Sequence, residues 1–423
     1  MEKFVINGKR RIEGEIKLQG AKNSALPILA ACVLVEGETV IKNCPQLSDV
    51  DSAIAILRHL GCKIQRTDTT LTIDSSQLDG YSVPESLMHE MRSSIIFLGA
   101  IIGRMGRADL YMPGGCEIGL RPIDLHLESI KKFGVSVSEE HGRVKFKAEQ
   151  ARLRAPEITL SFPSVGATEN IILAACTAEG RTTIYNAARE PEISDLCDFL
   201  NSCGARISGG GGSEIVIDGV RRLHSSEHRV IPDRIVGASL LAAAAMTGGR
   251  IKINEVIPAH IGPVLPVFRD CGCDISIAAD SISLTAPKSL DSIRTVRTMP
   301  YPGFPTDMQA QVTALASIAR GTGVVIETIF ESRFKHISEL IRLGARIRVD
   351  GRIAIIEGVE SLYGAAVRAP DLRGGAALVL AGLAAEGQTQ ITELRHIDRG
   401  YEAMEIVLSS LGADIKRIEN NEG

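Results

Sequence analysis

The sequence contains no tryptophan, and its aromatic fraction is only 4%. Aromatic packing therefore plays little part in a core that must be filled from the 44% of apolar residues. No apolar run approaches the roughly 18 residues of a membrane span, and the N-terminus lacks the apolar stretch of a signal peptide. Positive charge is not in excess either, since the formal net charge is −4, which argues against nucleic acid as an obligate partner. These absences predict a cytoplasmic globular protein, and its 423 residues predict at least two domains.

The nine cysteines form no CxxC pair, so neither a zinc site nor a disulfide framework is predicted. Most of them lie among apolar residues and are interpreted as small core side chains. Cys116 differs, because it lies in the glycine-rich stretch "PGGCEIGLRP" with Arg121 five positions later. A neighbouring guanidinium lowers the pKa of a thiol, and such a thiol can act as an acid or a nucleophile.

A repeat runs along the whole chain. A glycine followed by a short apolar strand closes six amphipathic helices at intervals of about 70 residues, as in "GCKI", "GVSV", "GARI" and "GADI". A helix of small apolar residues followed by another strand recurs in step, as in "NIILAACTAEGRTTIYN". Helices that are apolar on every face must be buried, whereas the alternating strands have one wet face. The sequence therefore predicts an inside-out α/β barrel of β-α-β-α-β-β repeats, with helices inside and sheets outside.

Six repeats can form one ring or two lobes of three. A break near 231 separates the helix starts three and three, which favours a first lobe over 22–231 and a second lobe over 232–423. A ligand site is then expected in the cleft between two similar lobes.

Basic residues stand at the starts of several buried helices. Lys22 and Asn23 precede Pro27, which is expected in a first turn, and Arg92 and Arg373 are placed similarly. A cation is locally unfavourable there unless helix and side chain jointly bind an anion, or unless the cation pairs with a carboxylate. Asp233 and Asp307 have the positions of helix caps or first-turn acids.

Several of these stretches together resemble one known family. "GAKNSALP", "MRSS", "PGGCEIGLRPIDLH", "PSVGATEN", "AAREPEI", "PGFPTDMQAQ" and "HIDRGYE" occur in this order. They are similar to the enolpyruvyl transferases, specifically those that act on UDP-N-acetylglucosamine at the start of peptidoglycan synthesis. The resemblance implies two lobes of three repeats, with residues 1–21 joining the second lobe. It also implies transfer of the enolpyruvyl group of phosphoenolpyruvate to the sugar 3′-hydroxyl, with release of phosphate and without metal or cofactor.

The resemblance assigns roles by position. It implies that Cys116 is the acid, that Asp307 orients the sugar hydroxyl and accepts its proton, and that Lys22 and Arg399 also serve catalysis. Phosphoenolpyruvate is expected to contact Lys22, Asn23, Arg121, Arg373 and Arg399. UDP-N-acetylglucosamine is expected to contact Asn23, Arg92, Arg121, Pro122, Ile123, Asp124, Leu125, Ser164, Val165, Gly166, Asp307, Ile329 and Arg333, with Glu190 as a further candidate. Family members with this cysteine are alkylated there by fosfomycin, so the same sensitivity is expected of Cys116.

One departure and two rival readings accompany the resemblance. Phe162 stands where some family members have lysine, and its ring is expected either to stack on the uracil or to pack into the protein. The sister enzyme of the shikimate pathway shares the fold but lacks the cysteine loop. A six-repeat scaffold around nucleic acid would need polar, basic inner helices, and the repeated helices here are apolar.

Overall fold

The computed structural model describes residues 2–111 and 123–419. The chain divides into two compact units, with boundaries after Gln19 and after Ile231. We call the part from Gly20 to Ile231 the central unit, and the part up to Gln19 together with the part from Pro232 the terminal unit.

The elements alternate along the chain as the repeat predicts. The strands are β1 (Glu2–Asn7), β2 (Glu13–Lys17), β3 (Val35–Glu36), β4 (Glu38–Lys42), β5 (Lys63–Thr67), β6 (Thr70–Asp74), β7 (Ser82–Val83), β8 (Arg107–Tyr111), β9 (Val135–Glu140), β10 (Arg143–Ala148), β11 (Glu157–Thr159), β12 (Arg181–Tyr185), β13 (Ile207–Ser208), β14 (Glu214–Asp218), β15 (Leu223–His224), β16 (Glu227–Arg229), β17 (Arg250–Asn254), β18 (Asp274–Ile277), β19 (Ser281–Thr285), β20 (Thr295–Arg297), β21 (Thr322–Ile326), β22 (Arg346–Asp350), β23 (Ile353–Glu357), β24 (Ala366–Arg368), β25 (Gln388–Thr392) and β26 (Asp414–Glu419). The α-helices are α1 (Lys22–Ala31), α2 (Ser48–His59), α3 (Glu85–Glu90), α4 (Phe97–Met105), α5 (Asp124–Lys132), α6 (Val165–Ala175), α7 (Pro191–Ser202), α8 (Arg234–Met246), α9 (Pro258–Ile261), α10 (Leu265–Asp270), α11 (Gln309–Ala316), α12 (Ile337–Arg342), α13 (Leu372–Ala384) and α14 (Met404–Ser410). Short 3₁₀ helices span Cys32–Leu34, Arg92–Ile96, Thr306–Met308 and Leu394–His396.

Within the described residues, each unit contains three four-stranded sheets of one topology. The central unit has the orders β16-β4-β6-β5, β7-β8-β10-β9 and β11-β12-β14-β13, and the terminal unit has β2-β17-β19-β18, β20-β21-β23-β22 and β24-β25-β1-β26. In every sheet the first strand runs parallel to the second, and the remaining neighbours are antiparallel. Where the two parallel strands follow each other along the chain, as β20 and β21 do, the crossover that parallel pairing requires contains a buried helix, here α11.

The small-residue helices form the interior of each unit. All thirteen residues of α8 are buried, and β23, by contrast, alternates between exposed and buried positions. Helix α4 packs on α1 and α6 in the central unit, and α8, α11 and α13 pack on one another in the terminal unit. Because alanine and glycine leave little side-chain bulk, these helices can approach closely without a void. The predicted arrangement, with helices inside and sheets outside in two similar three-repeat lobes, is confirmed.

The repeated glycine closes the amphipathic helix in every repeat. All six have positive φ angles between +76° and +104°, namely Gly61, Gly134, Gly204, Gly272, Gly344 and Gly412. A side chain is strained in this left-handed region, which explains why the chain uses glycine there.

Two strands pair in a different unit from the helix that follows them in sequence. β2 precedes α1 in sequence but pairs with β17 of the terminal unit. β16 precedes α8 but pairs with β4 of the central unit. In addition, β1 fills the third position of the last sheet, between β25 and β26. The terminal unit is therefore built from both ends of the chain. No helix in the described ranges is both long enough and apolar enough to cross a lipid bilayer.

Candidate active site

Asp307 lies between two buried arginines of the terminal unit. Nη2 of Arg333 donates to Oδ1 of Asp307 at 2.7 Å, and Nη2 of Arg373 donates to Oδ2 at 2.9 Å. Both arginine side chains are 4% exposed and the aspartate side chain is 25% exposed. One carboxylate thus receives a charge-assisted hydrogen bond on each oxygen, which fixes its orientation while leaving part of it open.

The local sequence explains how Asp307 and Arg373 converge. Asp307 occupies the 3₁₀ turn Thr306–Met308 that leads into α11. Arg373 lies in the first turn of α13, which is capped by Asp371 accepting the backbone N–H groups of Arg373 and Gly374. Helix starts of adjacent repeats thereby bring a carboxylate and a guanidinium group together.

Electrostatics keep the Asp307 carboxylate ionised. Burial alone would raise its pKa, but the guanidinium groups of Arg373 and Arg333 outweigh burial and hold the pKa far below its usual range. Burial likewise opposes the charge on Arg373, and Asp307 outweighs it, so the pKa of Arg373 is raised. The two residues stabilise each other's charged forms.

Arg373 retains donors that the described residues leave unused. Its Nε and Nη1 are buried and find no hydrogen-bond acceptor there. Oδ2 of Asp371, an acceptor, and both ring nitrogens of His336 are likewise buried and have no hydrogen-bond partner among the described residues. Burial lowers the pKa of His336 to about 4, so its imidazole is neutral at pH 7. Buried donors without acceptors are costly, so this cluster has the polarity of a site completed by a ligand.

Lys22 begins α1 in the central unit and is buried. Its Nζ donates to Oδ2 of Asp49 at 2.8 Å, so the carboxylate partner considered from the sequence is present. Asn23 beside it is half-buried. The expectation for Pro27 was wrong, because it lies inside α1 rather than in its first turn. Its missing N–H withdraws one helical donor from the carbonyl of Asn23, four residues earlier.

The start of α1 is also anchored from its flank. Ser24 donates to Oδ2 of Asp195, which is almost fully buried in α7. Oδ1 of Asp195 bonds Nε2 of His228 at 2.8 Å, and Oδ2 accepts the N–H of Ile231 at 3.3 Å. These contacts hold the turn carrying Lys22 and Asn23 in place.

Three further predicted segments meet around Asn170 in the central unit. Its Nδ2 lies 2.7 Å from Nδ1 of His126 in α5 and donates to the carbonyl of Ile95, while its Oδ1 accepts the N–H of Gly99 at 2.6 Å. The imidazole of His126 in turn lies against Gly166, where a Cβ atom would come within 3.0 Å of the ring. Asn170 and His126 thereby join the segments of Arg92, Asp124 and Ser164.

Individual predicted residues of these segments are placed as follows. Ile123 precedes α5 and is half-buried, Asp124 is exposed and Leu125 is half-buried. Ser164 caps α6 by accepting the N–H of Ala167, and it is half-buried together with Val165 and Gly166. Arg92 begins its 3₁₀ helix, and its side chain lies outside the described part.

The remaining predicted residues are spread over both units. Ile329 and Arg399 are half-buried in loops of the terminal unit, and Glu190 directly precedes α7 of the central unit without a capping hydrogen bond from its side chain. Asp233 caps α8 through the N–H groups of Ile235 and Val236, as the sequence predicted.

Cys116, Arg121 and Pro122 lie outside the described residues. The eight described cysteines are free and buried, and burial raises the pKa of several, to about 12 for Cys197 and about 11 for Cys203. Phe162 is 42% exposed, so its ring is not packed into the core. Among residues 2–111 and 123–419, no group of three or more His, Cys, Asp or Glu side chains could hold a metal ion.

Sequence reasoning missed Asp49, Glu327, His336 and Asp371. Asp371 directly precedes the helix "LRGGAALVL", so its capping role could have been found from the sequence. No local pattern marks the other three. Asp49 pairs with Lys22, 27 residues away, and Glu327 bonds the hydroxyls of Thr298 and Thr306, 29 and 21 residues away.

Solved structures share this architecture across the whole chain. The crystal structure of the enolpyruvyl transferase NikO from Streptomyces tendae superposes with a TM-score of 0.88 at 26% identity, covering 98% of each chain. An EPSP synthase from Acinetobacter baumannii superposes with a TM-score of 0.76 at 18% identity, which shows the shared fold alone. The fold is thus that of the enolpyruvyl transferases.

Sequence comparisons narrow the class to a family. The family model described as EPSP synthase (3-phosphoshikimate 1-carboxyvinyltransferase) matches residues 6–408, and the chain belongs to this family. UDP-N-acetylglucosamine 1-carboxyvinyltransferase 2 of Caldanaerobacter subterraneus is 51% identical over 99% of this chain and 100% of its own length. UDP-N-acetylglucosamine 1-carboxyvinyltransferase 1 of Symbiobacterium thermophilum is 49% identical over 99% of this chain and 95% of its own length. UDP-N-acetylglucosamine 1-carboxyvinyltransferase of Yersinia pestis is 46% identical over 99% of this chain and 100% of its own length.

Proposed function

We propose that this protein transfers the enolpyruvyl group of phosphoenolpyruvate to the 3′-hydroxyl of UDP-N-acetylglucosamine, with release of phosphate. This reaction begins peptidoglycan synthesis. The observation that carries the proposal is 51% identity along essentially the full length of a relative with that name. We further propose that it acts in the cytoplasm, where its eight described cysteines would remain thiols.

Phosphoenolpyruvate carries a carboxylate beside a phosphate, so several cations must hold it. Arg373 supports such a role, because two of its buried nitrogen donors have no acceptor among the described residues. We propose that Lys22, Asn23, Arg121 and Arg399 complete the anion site. Guanidinium groups suit both anionic groups, since each can form two parallel hydrogen bonds.

The reaction needs two proton transfers before phosphate leaves. In the addition step, the methylene carbon of phosphoenolpyruvate gains a proton, the sugar oxygen bonds the adjacent carbon, and the sugar hydroxyl loses its proton. In the elimination step, the resulting methyl group returns a proton and the phosphate departs with its bonding electrons, which restores the double bond. We propose Cys116 as the acid of the addition step.

Asp307 is suited first to orienting the sugar hydroxyl. Its carboxylate is ionised and held by Arg333 and Arg373, so it can accept a hydrogen bond. Its depressed pKa, however, makes it a weak base while both guanidiniums face it. An anionic substrate on Arg373 would offset part of that positive charge, and the pKa of Asp307 would then rise. Binding of phosphoenolpyruvate thereby prepares Asp307 to accept the hydroxyl proton.

The nucleotide sugar is proposed to lie along the segments joined by Asn170 and His126. These segments supply Arg92, the stretch from Arg121 to Leu125, and Ser164 to Gly166, and Ile329, Arg333 and Glu190 are further proposed contacts. The exposed ring of Phe162, two residues before the Ser164 cap, is free of core packing and is proposed to stack on the uracil.

The test is phosphate release from phosphoenolpyruvate with UDP-N-acetylglucosamine or 3-phosphoshikimate as acceptor. We expect phosphate release only when UDP-N-acetylglucosamine is the acceptor. Release only with 3-phosphoshikimate as the acceptor would assign the other activity of the family. Fosfomycin is expected to abolish turnover and to add its mass at Cys116. Cys116→Ser should impair turnover and should not gain the mass of fosfomycin, whereas Cys62→Ser, at a buried cysteine 3.4 Å from Ser75, should leave fosfomycin sensitivity intact. Full activity of Cys116→Ser would remove the thiol from the mechanism.

A further inference from the structure

Glu327 follows strand β21 and is almost completely buried, with 1% of its surface exposed. Both carboxylate oxygens are used. Oε1 accepts the hydroxyl of Thr298 at 3.0 Å and the N–H groups of Ile329 at 2.8 Å and Phe330 at 3.1 Å. Oε2 accepts the hydroxyl of Thr306 at 2.8 Å. One side chain therefore joins three separate segments of the terminal unit.

Two of these segments carry residues of the proposed nucleotide-sugar site. Thr306 is the direct neighbour of Asp307 in the 3₁₀ turn, and Ile329 is itself a proposed contact. The loop then returns to Asp307, because the guanidinium of Arg333 lies 5.2 Å from the ring of Phe330 and donates to Asp307. Glu327 is thus one member of a closed ring of contacts that runs through Asp307.

The other repeats provide an internal comparison. The residue after the second strand of the sheet is Asn43, Asn186, Glu255 or Glu393 in four further repeats, each with a φ angle between +52° and +61°. Each of these side chains contacts the neighbouring first strand or the residue just after it, as Asn43 does with the carbonyl of Val230 and Asn186 with that of Leu160. The contact of Glu327 with Thr298 fulfils the same structural task.

The remaining contacts of Glu327 exceed that task. None of the four equivalent residues is buried, and Glu327 is not among the residues with positive φ. Its bonds to Thr306, Ile329 and Phe330 are directed toward Asp307 and the Ile329 loop, whereas the salt bridges of Glu393 run to Arg368 and Arg395. In the repeat that contains Asp307, the residue at this position is therefore buried and bonds to three segments, whereas its equivalents bond mainly to the first strand of the sheet.

We propose that Glu327 is a positioning residue that sets Asp307 and the backbone of Ile329 in the geometry that the nucleotide sugar requires. This inference rests on the proposed function. It assigns no contact between Glu327 and either substrate. Its effect is transmitted through Thr306 on one side and through two backbone N–H groups on the other.

The decisive variant is Glu327→Asn, because asparagine occupies the equivalent position in two other repeats and fits the fold there. Asparagine is one methylene shorter and cannot reach Thr306, Ile329 and Phe330 together. We expect kcat/KM for UDP-N-acetylglucosamine to fall at least about tenfold while the KM for phosphoenolpyruvate stays within about threefold. Glu327→Gln keeps the length and an acceptor oxygen and should recover most of the loss. Glu393→Asn is the matched control at the equivalent position and should show neither effect.

Hydrogen exchange at the amides of Ile329 and Phe330 provides a readout independent of turnover. Exchange should accelerate in Glu327→Asn and remain slow in Glu327→Gln and Glu393→Asn. If the wild-type protein releases no phosphate with either acceptor, the proposed function fails. Unchanged exchange in Glu327→Asn would separately overturn the positioning role of Glu327.

Two further outcomes also overturn the positioning role. One is an equal loss for both substrates accompanied by lower thermal stability, which would mark Glu327 as merely structural. The other is faster exchange with unchanged kinetics. Should Glu327→Asn fail to fold, Thr306→Val removes only the link to the Asp307 turn. That variant should show the same kinetic split with normal exchange at Ile329 and Phe330, and unchanged kinetics would refute the proposal.

Discussion

Replacing Asp307 with asparagine removes one negative charge from between two buried guanidinium groups while preserving the size of the side chain. Arg333 and Arg373 would remain 4% exposed, and each would lose its charged partner. Removing one member of a fully buried ion pair costs about 3–5 kcal/mol. Because the carboxylate is 25% exposed, water screens part of the interaction. We therefore expect a loss of about 2–3 kcal/mol at pH 7.

Thermal unfolding measures this cost directly. A loss of this size lowers the melting temperature of a unit of 150–250 residues by about 5–10 °C. The matched control is Asp291→Asn. Asp291 forms a salt bridge of 2.7 Å with Arg320, but the side chains of both residues are more than half exposed. The control should change stability by less than about 0.5 kcal/mol.

The pH dependence supplies a second signature. The pKa of Asp307 is depressed in the folded protein, so its stabilisation is fully present above the ordinary aspartate pKa and is lost as pH falls below it. The difference between wild type and Asp307→Asn should thus be constant from pH 5 to pH 8 and shrink below about pH 4. Equal melting temperatures for Asp307→Asn and Asp291→Asn would refute the reasoning. A stabilised Asp307→Asn would show instead that the cluster is maintained at a net cost to folding.

Three further predictions concern buried polar groups. The hydroxyl of Thr389 is buried and has no hydrogen-bond partner among the described residues, so Thr389→Val should raise stability by about 1 kcal/mol in denaturant unfolding. Thr313→Val, which removes a hydroxyl bonded to the carbonyl of Gln309 at 2.9 Å, should lower it. Burial depresses the pKa of His336 from 6.5 to about 4, so the unfolded chain binds more protons between these values and stability should rise with pH across this window. His336→Leu should flatten that rise, and an unchanged slope in thermal unfolding would assign it to other groups. Under native conditions iodoacetamide should spare the eight described cysteines, all of them buried, and mass spectrometry that finds any of them labelled as fast as in unfolded protein would contradict this.

The sequence predicted the architecture well because each repeat carries its own local signals. The terminal glycines of the amphipathic helices need no partner to adopt positive φ, so a glycine at that position identifies the cap directly. Burial of α8 follows from a helix composed almost entirely of apolar residues, five of its thirteen residues being alanine. The exchange of β2 and β16 is different, because both strands are short and polar and nothing in them specifies the sheet that they join.

The candidate site could be predicted only in part, for the same physical reason. Lys22, Asp307 and Arg373 stand at helix starts that the repeat locates. The contacts that determine their chemistry span 27 residues from Lys22 to Asp49 and 66 residues from Asp307 to Arg373. Glu327 illustrates the limit, since in sequence it is equivalent to Glu255 and Glu393, and only its bonds to Thr306, Ile329 and Phe330 in the folded chain make it different.

The pairing of β1 with β26 has a consequence for how the gene could be rearranged. Glu2 lies opposite Glu419 in that antiparallel pair, so the first residue of β1 lies beside the last residue of β26. A short hairpin turn joining them, with a new start at Pro232, would give a circular permutant in which the terminal unit is translated as one uninterrupted piece before the central unit. Every sheet would keep its strand order, and β1 would follow β26 as the closing strand of its own repeat. Such a permutant should fold, whereas a fragment beginning at Pro232 without β1 would leave the sheet of β25 and β26 divided.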